Sequence, residues 1–168
     1  MVFRMEEIIR MQEHLLLIRR TVGWTAEAFG ERIGVTRQTI NNIEAGRNKL
    51  TKTQYIAMRS VLDAEINQHP DETEMLRLLL DVLVDSPEKY SMDEVKELVS
   101  KANLMSPSIL AGTTSRAEVS KEWMKIAGGL AGVAAVMSLI PFGGGLVGGA
   151  VAGGWLTKML AMAKKRDK

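Results

Sequence analysis

Hydrophobic residues recur at a helical spacing along the first two thirds of the chain. Between residues 5 and 21 they fall mostly three or four positions apart, and Gly23 follows just past the last of them. Residues at this spacing form one face of an amphipathic helix, and glycine is common after a helix end. The pattern therefore predicts a helix over 5–21. Because no segment alternates apolar and polar residues as a strand does, we predict an all-α fold.

Three threonines mark the starts of the next helices, since a threonine side chain can accept a hydrogen bond from an unpaired N–H group in the first helical turn. Thr25, Thr36 and Thr51 precede the predicted helices 26–33, 37–45 and 52–67. Gly34 and Gly46 end the first two of these, because glycine readily adopts the left-handed conformation that closes a helix. Residues 1–68 are thus predicted to form a domain of four to five helices.

Residues 69–104 form an acidic segment with further helical patterning. Apolar residues are spaced for a helix over 72–84, and Ser91 with Glu94 forms a capping-box pattern ahead of another apolar face. From residue 69 to 120 the chain has ten Asp and Glu residues against five Lys and Arg residues. An acidic surface is unsuited to DNA. We therefore interpret 69–104 as a dimerisation or effector segment.

A three-residue turn joins the two short helices, and the polar side of the second helix carries side chains suited to DNA bases. Gly34 allows the left-handed backbone of this turn. The predicted inward seam consists of Ile33, Val35, Ile40 and Ile43, and the predicted base-contacting face consists of Arg37, Gln38, Asn41 and Asn42. Arginine pairs with guanine through two hydrogen bonds, and glutamine or asparagine pairs similarly with adenine. The expected partner is double-stranded DNA.

A basic loop follows the second short helix. Residues 36–52 contain four Lys and Arg residues and a single Glu. Cations and free N–H groups at a helix start are common partners of phosphate. The predicted phosphate-contacting residues are Thr36, Arg47, Asn48, Lys49, Thr51 and Lys52. The alternative is an ordinary helical bundle with a solvated polar face, and the glycines at 34 and 46 favour DNA binding over it.

This part of the sequence resembles the Cro/XRE-type helix-turn-helix family from Leu15 to about Asp63. The matching residues are Leu15, Ile18, Arg19, Gly23-Trp24-Thr25, Phe29, Gly34-Val35-Thr36, Ile40, Ile43-Glu44 and Gly46-Arg47. The resemblance implies that Arg19 and Glu44 form a partly buried ion pair between the first and third helices. The base-contacting residues that it implies are Arg37, Gln38 and Asn42. It also implies a dimer on two half-sites about one helical turn apart.

Three departures from the family pattern bear on DNA binding. Ala26 stands where the family usually has a glutamine that helps to hold phosphate, and the usual proline after the Gly46-Arg47 loop is missing. Gly30 stands where the family has alanine, a change that weakens a helix by about 1 kcal/mol. These departures lower the expected strength of operator binding more than they change the expected fold.

A glycine-rich tail follows a predicted linker at 105–117. Residues 126–157 are 32 consecutive positions without a charge, and they contain ten of the fifteen glycines. Glycines four residues apart let two helix backbones approach closely, as is common between membrane helices. The predicted packing positions are Gly128, Gly132, Gly145, Gly149 and Gly153. We predict a helical hairpin with a basic end over 118–168, because Pro141 interrupts the uncharged segment.

The tail has two alternative interpretations. Lys residues flank the uncharged segment on both sides, which favours a hairpin that enters the inner membrane from the cytoplasm and contacts lipid over 123–166. Each arm would reach only about 22 Å at about 1.5 Å per residue, short of a bilayer core of about 30 Å. The other interpretation is a glycine zipper that packs within a soluble homo-oligomer.

The remaining composition argues against an enzyme. The chain has no Cys, its two His residues stand apart in the sequence, and no constellation of catalytic residues is present. We expect no catalytic residue, no metal and no cofactor. The predicted function is a cytoplasmic, sequence-specific transcriptional regulator that acts as a homodimer or higher homo-oligomer, with the tail attached to membrane or to further subunits. The alternative is an interaction or effector protein of the defence or toxin–antitoxin type, whose tail oligomerises or perturbs membrane.

Overall fold

Helices make up every regular element in the part of the chain that the computed structural model describes, residues 5–112 and 115–121. The longer helices are α1 (Met5–Val22), α2 (Ala26–Ile33), α3 (Arg37–Glu44), α4 (Lys52–Gln68), α5 (Glu74–Leu80) and α6 (Met92–Leu110). A π-helical turn (Asp81–Asp85) continues α5, 3-10 turns cover Pro70–Glu72 and Pro87–Lys89, and another helical turn spans 116–121. The all-α prediction is confirmed for these residues.

The predicted threonine caps hold the starts of α2, α3 and α4. Thr25, Thr36 and Thr51 accept hydrogen bonds from the backbone N–H groups of Ala28, Thr39 and Gln54, at 3.0, 3.2 and 3.3 Å respectively. Gly34 and Gly46 have φ angles of 75° and 70°, in the left-handed region that favours glycine. These helices therefore begin where the local sequence signals predict.

Helix α1 is the centre of the fold. It contacts α3 and α4 and also α5, the π-helical turn and α6. Met11, Leu15 and Ile18 of α1 are fully buried. Fully burying one side chain of this size stabilises a fold by about 1.5–3 kcal/mol. Helix α1 thus joins the N-terminal helices to those of the acidic segment.

The acidic segment shares the hydrophobic core of the N-terminal helices. Its buried apolar residues include Met75, Leu76, Leu78, Leu79, Leu80, Val82, Leu83 and Val84. They belong to one apolar cluster with the buried residues of α1 to α4. Nε of Arg10 in α1 also donates to the carbonyl of Val84 at 2.9 Å. The N-terminal helices and the acidic segment therefore do not have separate cores, although the charge of the chain changes near residue 68.

Helix α6 continues where a linker was predicted to begin. It runs through Pro107 to its end, which corrects the predicted linker over 105–110. A proline removes one backbone hydrogen bond from a helix. Ser106 and Ile109 are nevertheless buried, and this packing keeps the last turn of the helix in place. Gly112, with a φ of 69°, follows the helix.

Arg116 attaches the last described turn to the rest of the fold. Its Nη1 lies 2.5 Å from Oε1 of Glu65 in α4, and its Nη2 lies 3.0 Å from Oε2 of Glu72. Nη1 also donates to the carbonyl of Val22, the last residue of α1, at 3.3 Å. One guanidinium therefore joins the turn at 116–121 to α1, to α4 and to the 3-10 turn that follows α4.

A second ion pair joins α4 to the π-helical turn. Nη1 and Nη2 of Arg59 each lie 2.8 Å from one carboxylate oxygen of Asp85. Burial raises the pKa of Asp85 in spite of this partner. Burial also raises the pKa of Tyr55, in the same helix as Arg59, to about 12, and the Tyr55 hydroxyl donates to Glu7 at 3.3 Å. The contacts of α4 with its neighbours thus combine charged and apolar groups.

The glycine-rich tail beyond residue 121 lies outside the described residues. The same holds for its predicted packing positions, for the remainder of the hairpin predicted over 118–168 and for the lipid-contacting segment predicted over 123–166. Within 5–112 and 115–121, no helix has the length and apolar character that crossing a bilayer requires.

Candidate nucleic-acid interface

Helices α2 and α3 meet through a tight turn at residues 34–36. The N–H of Val35 donates to the carbonyl of Gly30 at 2.9 Å, which draws the turn onto α2. A Cβ atom at Gly30 would lie 2.6 Å from the carbonyl oxygen of Val35. This distance is shorter than a normal van der Waals contact. The turn can therefore lie this close to α2 only because residue 30 has no side chain.

The inward face of α3 is apolar. Ile40 and Ile43 are 0% and 1% exposed, and they belong to the same buried cluster as Phe29 of α2. Ile33 and Val35, which were predicted to share this seam, are half-buried and pack against the cluster. Burial of this face fixes which side of α3 is turned to the outside.

Arg19 and Glu44 form a buried ion pair between α1 and the end of α3. Nε and Nη2 of Arg19 lie 2.5 and 3.0 Å from the two carboxylate oxygens, and the two side chains are only 7% and 8% exposed. Nη1 of Arg19 also donates to the carbonyl of Trp24 at 2.8 Å. A desolvated charge is unfavourable without its partner. The pair therefore holds the end of α3 in a defined position against α1.

The outer face of α3 carries the predicted base-contacting side chains. Arg37 and Gln38 are exposed in its first turn, whereas Asn41 and Asn42 are half-buried. Nε2 of Gln38 donates to Oδ1 of Asn42 at 3.0 Å. This hydrogen bond aligns two amide groups side by side, and each amide keeps further donor and acceptor capacity for a base edge.

The predicted phosphate-contacting residues lie at the two ends of α3 and at the start of α4. All six are exposed, namely Thr36, Arg47, Asn48, Lys49, Thr51 and Lys52. The N–H groups of Arg47 and Asn48 donate to the carbonyl of Asn42 at 2.9 and 3.1 Å. These bonds fold the loop back onto the end of α3, so the loop and the outer face of α3 are neighbours.

Gln12 of α1 also belongs to this region, although no local sequence pattern predicts a role for it there. Its Nε2 donates to the carbonyls of Ile43 and Asn48 at 3.0 and 2.8 Å, and its Oε1 accepts from the N–H of Leu50 at 2.9 Å. One side chain thus contacts three points along the end of α3 and the loop after it. The sequence held one signal, since Gln12 is a polar residue within the apolar series of α1.

Comparison with known protein families agrees with this geometry. Residues 15–67, from the middle of α1 nearly to the end of α4, match the family model described as Helix-turn-helix. These residues are a DNA-binding helix-turn-helix domain of the Cro/XRE kind. The family is one of DNA-binding domains and not of enzymes. No curated protein and no solved structure matches the chain significantly.

The structure shows the surroundings of two residues that depart from the family pattern, Ala26 and Gly30. Ala26 is buried at the start of α2, and its side chain has no polar group that could hold phosphate. The backbone of the α2–α3 turn lies so close to Gly30 that a side chain there would collide with it. From the sequence alone Gly30 is only a helix-weakening residue, because helix propensity does not describe contacts with a neighbouring turn.

The helix-turn-helix domain presents a basic surface from α3 to the start of α4. All four cations of this stretch, Arg37, Arg47, Lys49 and Lys52, are exposed. Glu44, the acidic residue between them, is paired with Arg19 and is buried with it. The ion pair therefore neutralises the one negative charge that would otherwise reduce the positive charge of this surface. Exposed cations of this kind neutralise DNA phosphates and release counterions.

Proposed function

We propose that this protein is a sequence-specific transcriptional regulator that places α3 in the major groove of DNA. The observation that carries the proposal is the outer face of α3, where Arg37 and Gln38 are exposed beside a basic loop. Arginine forms two hydrogen bonds with guanine, and an amide does the same with adenine. A helix whose first turn carries such groups is the usual element that contacts bases in a helix-turn-helix domain.

Four side chains share the proposed base contacts. Arg37 has the fork of donors that fits the N7 and O6 atoms of guanine, and Gln38 has the paired donor and acceptor that fit adenine. Asn41 and Asn42 lie further along the same helix and are half-buried. The Gln38–Asn42 hydrogen bond reduces the freedom of both amides before DNA is bound. We expect the strongest sequence preference from the first turn of α3.

The loop after α3 and the start of α4 are proposed to contact the phosphate backbone. Arg47, Lys49 and Lys52 supply positive charge, and the exposed loop also offers polar side chains. Contacts of this kind position a protein on the duplex without selecting a sequence. They supply most of the salt-dependent affinity, while α3 supplies the preference for particular bases.

The protein is proposed to bind DNA as a homodimer, since helix-turn-helix dimers match two half-sites about one helical turn apart. The apolar side of α5 is already buried within the chain, so it is not available as a dimer surface. Exposed apolar residues remain on α6, where Met92 and Leu104 are 74% and 62% exposed. Contacts of the acidic segment with a second subunit would therefore involve α6 and not α5.

The glycine-rich tail is proposed to attach this cytoplasmic regulator to membrane lipid or to further subunits. Support comes from the sequence, in which 32 uncharged residues lie between basic flanks and several glycines are spaced four apart. Such spacing lets helices pack closely in a bilayer or in a protein assembly. Either attachment would raise the effective concentration of the DNA-binding domains near each other.

The proposed base contacts are tested by the double variant Arg37→Ala, Gln38→Ala. Wild-type protein is first used to select its preferred sequence from a random DNA pool, and both proteins are then titrated with that DNA and with a scrambled duplex. We expect the double variant to lose about 2–6 kcal/mol of binding free energy for the selected DNA, because each good base contact contributes about 1–3 kcal/mol. Binding to the scrambled duplex should weaken much less.

The matched control is Lys96→Ala, Gln68→Ala, which removes one cation and one amide from exposed positions on α6 and α4. It should leave both affinities close to those of the wild type. If wild-type protein enriches no sequence, or if both variants behave alike, α3 does not select bases. That result would favour the interaction or effector role for the same domain.

A further inference from the structure

We propose that Gln12 is a positioning residue for DNA binding, which holds the phosphate-contacting loop in a fixed shape from α1. This inference rests on the proposed function. Gln12 lies on α1, outside the residues 15–67 that match the helix-turn-helix family. Its role therefore does not follow from the family match.

The contacts of Gln12 are with backbone groups at three separate points. Nε2 donates to the carbonyl of Ile43, near the end of α3, at 3.0 Å and to the carbonyl of Asn48 in the loop at 2.8 Å. Oε1 accepts from the N–H of Leu50, just before α4, at 2.9 Å. Both polar atoms of the side-chain amide are thus engaged, and together they span the whole connection from α3 to α4.

Backbone hydrogen bonds and the Thr51 capping box constrain the two ends of this connection. On the α3 side, the N–H groups of Arg47 and Asn48 donate to the carbonyl of Asn42. On the α4 side, Leu50 is only 6% exposed. Between these points the side chains of Arg47, Asn48 and Lys49 are exposed to solvent. Ordering a free loop when DNA binds would reduce the affinity, and a loop that is already held avoids much of that loss.

Only an amide side chain can make this set of bonds. The NH₂ group of glutamine donates two hydrogen bonds while its carbonyl oxygen accepts a third. A glutamate at position 12 would still accept from Leu50, but an ionised carboxylate cannot donate to the carbonyls of Ile43 and Asn48. A methionine of similar length would make none of the three bonds. These two variants therefore distinguish removal of the two donors from removal of all three bonds.

The first experiment measures amide hydrogen exchange in the DNA-free, full-length protein. In Gln12→Met the N–H of Leu50 should exchange at least tenfold faster, because it no longer has an acceptor, whereas buried amides of α1 such as that of Leu15 should change little. Gln12→Glu should protect Leu50 to an intermediate degree. The matched control is Gln68→Met, which makes the same change at an exposed position at the end of α4. Unchanged protection of Leu50 in Gln12→Met would overturn the proposal.

The second experiment measures binding to the selected DNA and to a scrambled duplex over a range of salt concentrations. Gln12→Met should weaken both by a similar factor of about ten, because a disordered loop binds fewer phosphates while α3 still selects bases. The dependence of log K on log salt should become shallower by about 0.9 for each phosphate that the loop no longer neutralises. Full affinity, or a change in base preference, would contradict a positioning role.

A double-mutant cycle separates positioning from a general decrease in stability. Lys49→Ala should cost less affinity in the Gln12→Met background than in the wild type, because the loop is no longer held in position. Arg37→Ala should cost the same factor in both backgrounds. Equal, additive effects of Lys49→Ala would overturn the proposal. If wild-type protein binds no DNA at all, the proposed function fails, and the exchange of Leu50 still shows whether Gln12 holds the loop.

Discussion

Arg19 and Glu44 are a pair of charged residues whose side chains are almost fully buried. They are only 7% and 8% exposed. Removing one member of such a pair destabilises a protein by about 3–5 kcal/mol, because the remaining charge is left without a partner. Gln12 acts in the same region through uncharged hydrogen bonds. Single polar side chains thus determine where the end of α3 and its loop lie.

Gly30 is the residue at which local preference and tertiary packing disagree. Alanine favours a helix over glycine by about 1 kcal/mol, but overpacking a close contact costs about 1–3 kcal/mol. A Cβ atom at Gly30 would meet two backbone neighbours, at 2.6 Å from the carbonyl oxygen of Val35 and 3.3 Å from the carbonyl carbon of Thr36. We therefore expect Gly30→Ala to lower the free energy of unfolding by about 1 kcal/mol, measured by urea denaturation.

Ala64→Gly is the control for the helix-propensity contribution, because Ala64 is exposed in the interior of α4. It should cost about 1 kcal/mol through propensity alone. A Gly30→Ala variant that is more stable than the wild type would show that the α2–α3 turn can move away from α2, and the steric explanation would then be wrong.

At the scale of elements, the two ends of α6 are defined differently. Its start follows a local signal, since Ser91 and Glu94 form the predicted capping box. Its end lies beyond Pro107, a residue that normally stops a helix, because the last turn packs against the rest of the fold through Ile109. The turn at 116–121 again has a local cap, in which the N–H of Glu118 donates to Ser115 at 3.2 Å.

Arg116→Ala should release the turn at 116–121 from the helical body. The change removes the ion pairs with Glu65 and Glu72, whose carboxylates lie 2.5 and 3.0 Å from the guanidinium. We expect the N–H of Val119, which donates to the carbonyl of Ser115, to exchange at least tenfold faster. Hydrogen exchange followed by mass spectrometry of peptides from 115–121 measures this effect.

Lys96→Ala is the matched control, since it removes an exposed cation from α6. It should leave exchange in 115–121 unchanged. Equal protection of Val119 in Arg116→Ala and in the wild type would show that apolar packing alone attaches the turn, in which case the ion pairs are dispensable.

At the scale of the whole molecule, the helix-turn-helix domain and the acidic segment depend on one another. The apolar cluster of α1 to α4 continues into α5 and α6 without interruption. Cooperative unfolding of the two parts is expected, because opening either part exposes apolar surface of the other to water. The acidic segment thus supports the DNA-binding domain and is not an independent attachment to it.

The role of the glycine-rich tail is tested by comparing the full-length protein with a truncation after residue 121. The truncation point lies beyond Val119 and Ser120, because both are only 3% exposed and belong with the described fold. Cell fractions are washed with high salt to remove peripheral charge contacts, and the soluble forms are sized by light scattering. We expect only the full-length protein to be retained with membrane or to form oligomers larger than those of the truncated chain.

Retention on membrane would favour the lipid-attached form, and a soluble oligomer of the full-length protein would favour the glycine-zipper assembly. Identical behaviour of the two proteins in both assays would contradict both roles of the tail. Binding of the truncated protein to the selected DNA provides the control that the helix-turn-helix domain has remained folded.

The sequence by itself determined the starts of α2, α3 and α4 and the outward face of α3. Thr25, Thr36 and Thr51 fix helix starts, because a cap needs only residues within the same first turn. The spacing of Ile40 and Ile43 determines the inward side of α3, because a helix has a fixed period. The family resemblance added the pairing of Arg19 with Glu44, which local patterns do not contain.

Only the tertiary structure decided the contacts between residues distant in the chain. Gln12 meets Leu50 across 38 positions, and Arg116 meets Val22 across 94. No local pattern encodes such distances, since they follow from how helices pack once their apolar faces are buried together. The same packing extended α6 past Pro107 and joined the acidic segment to the core. Local propensity sets where helices start, and burial of the shared core sets what they touch.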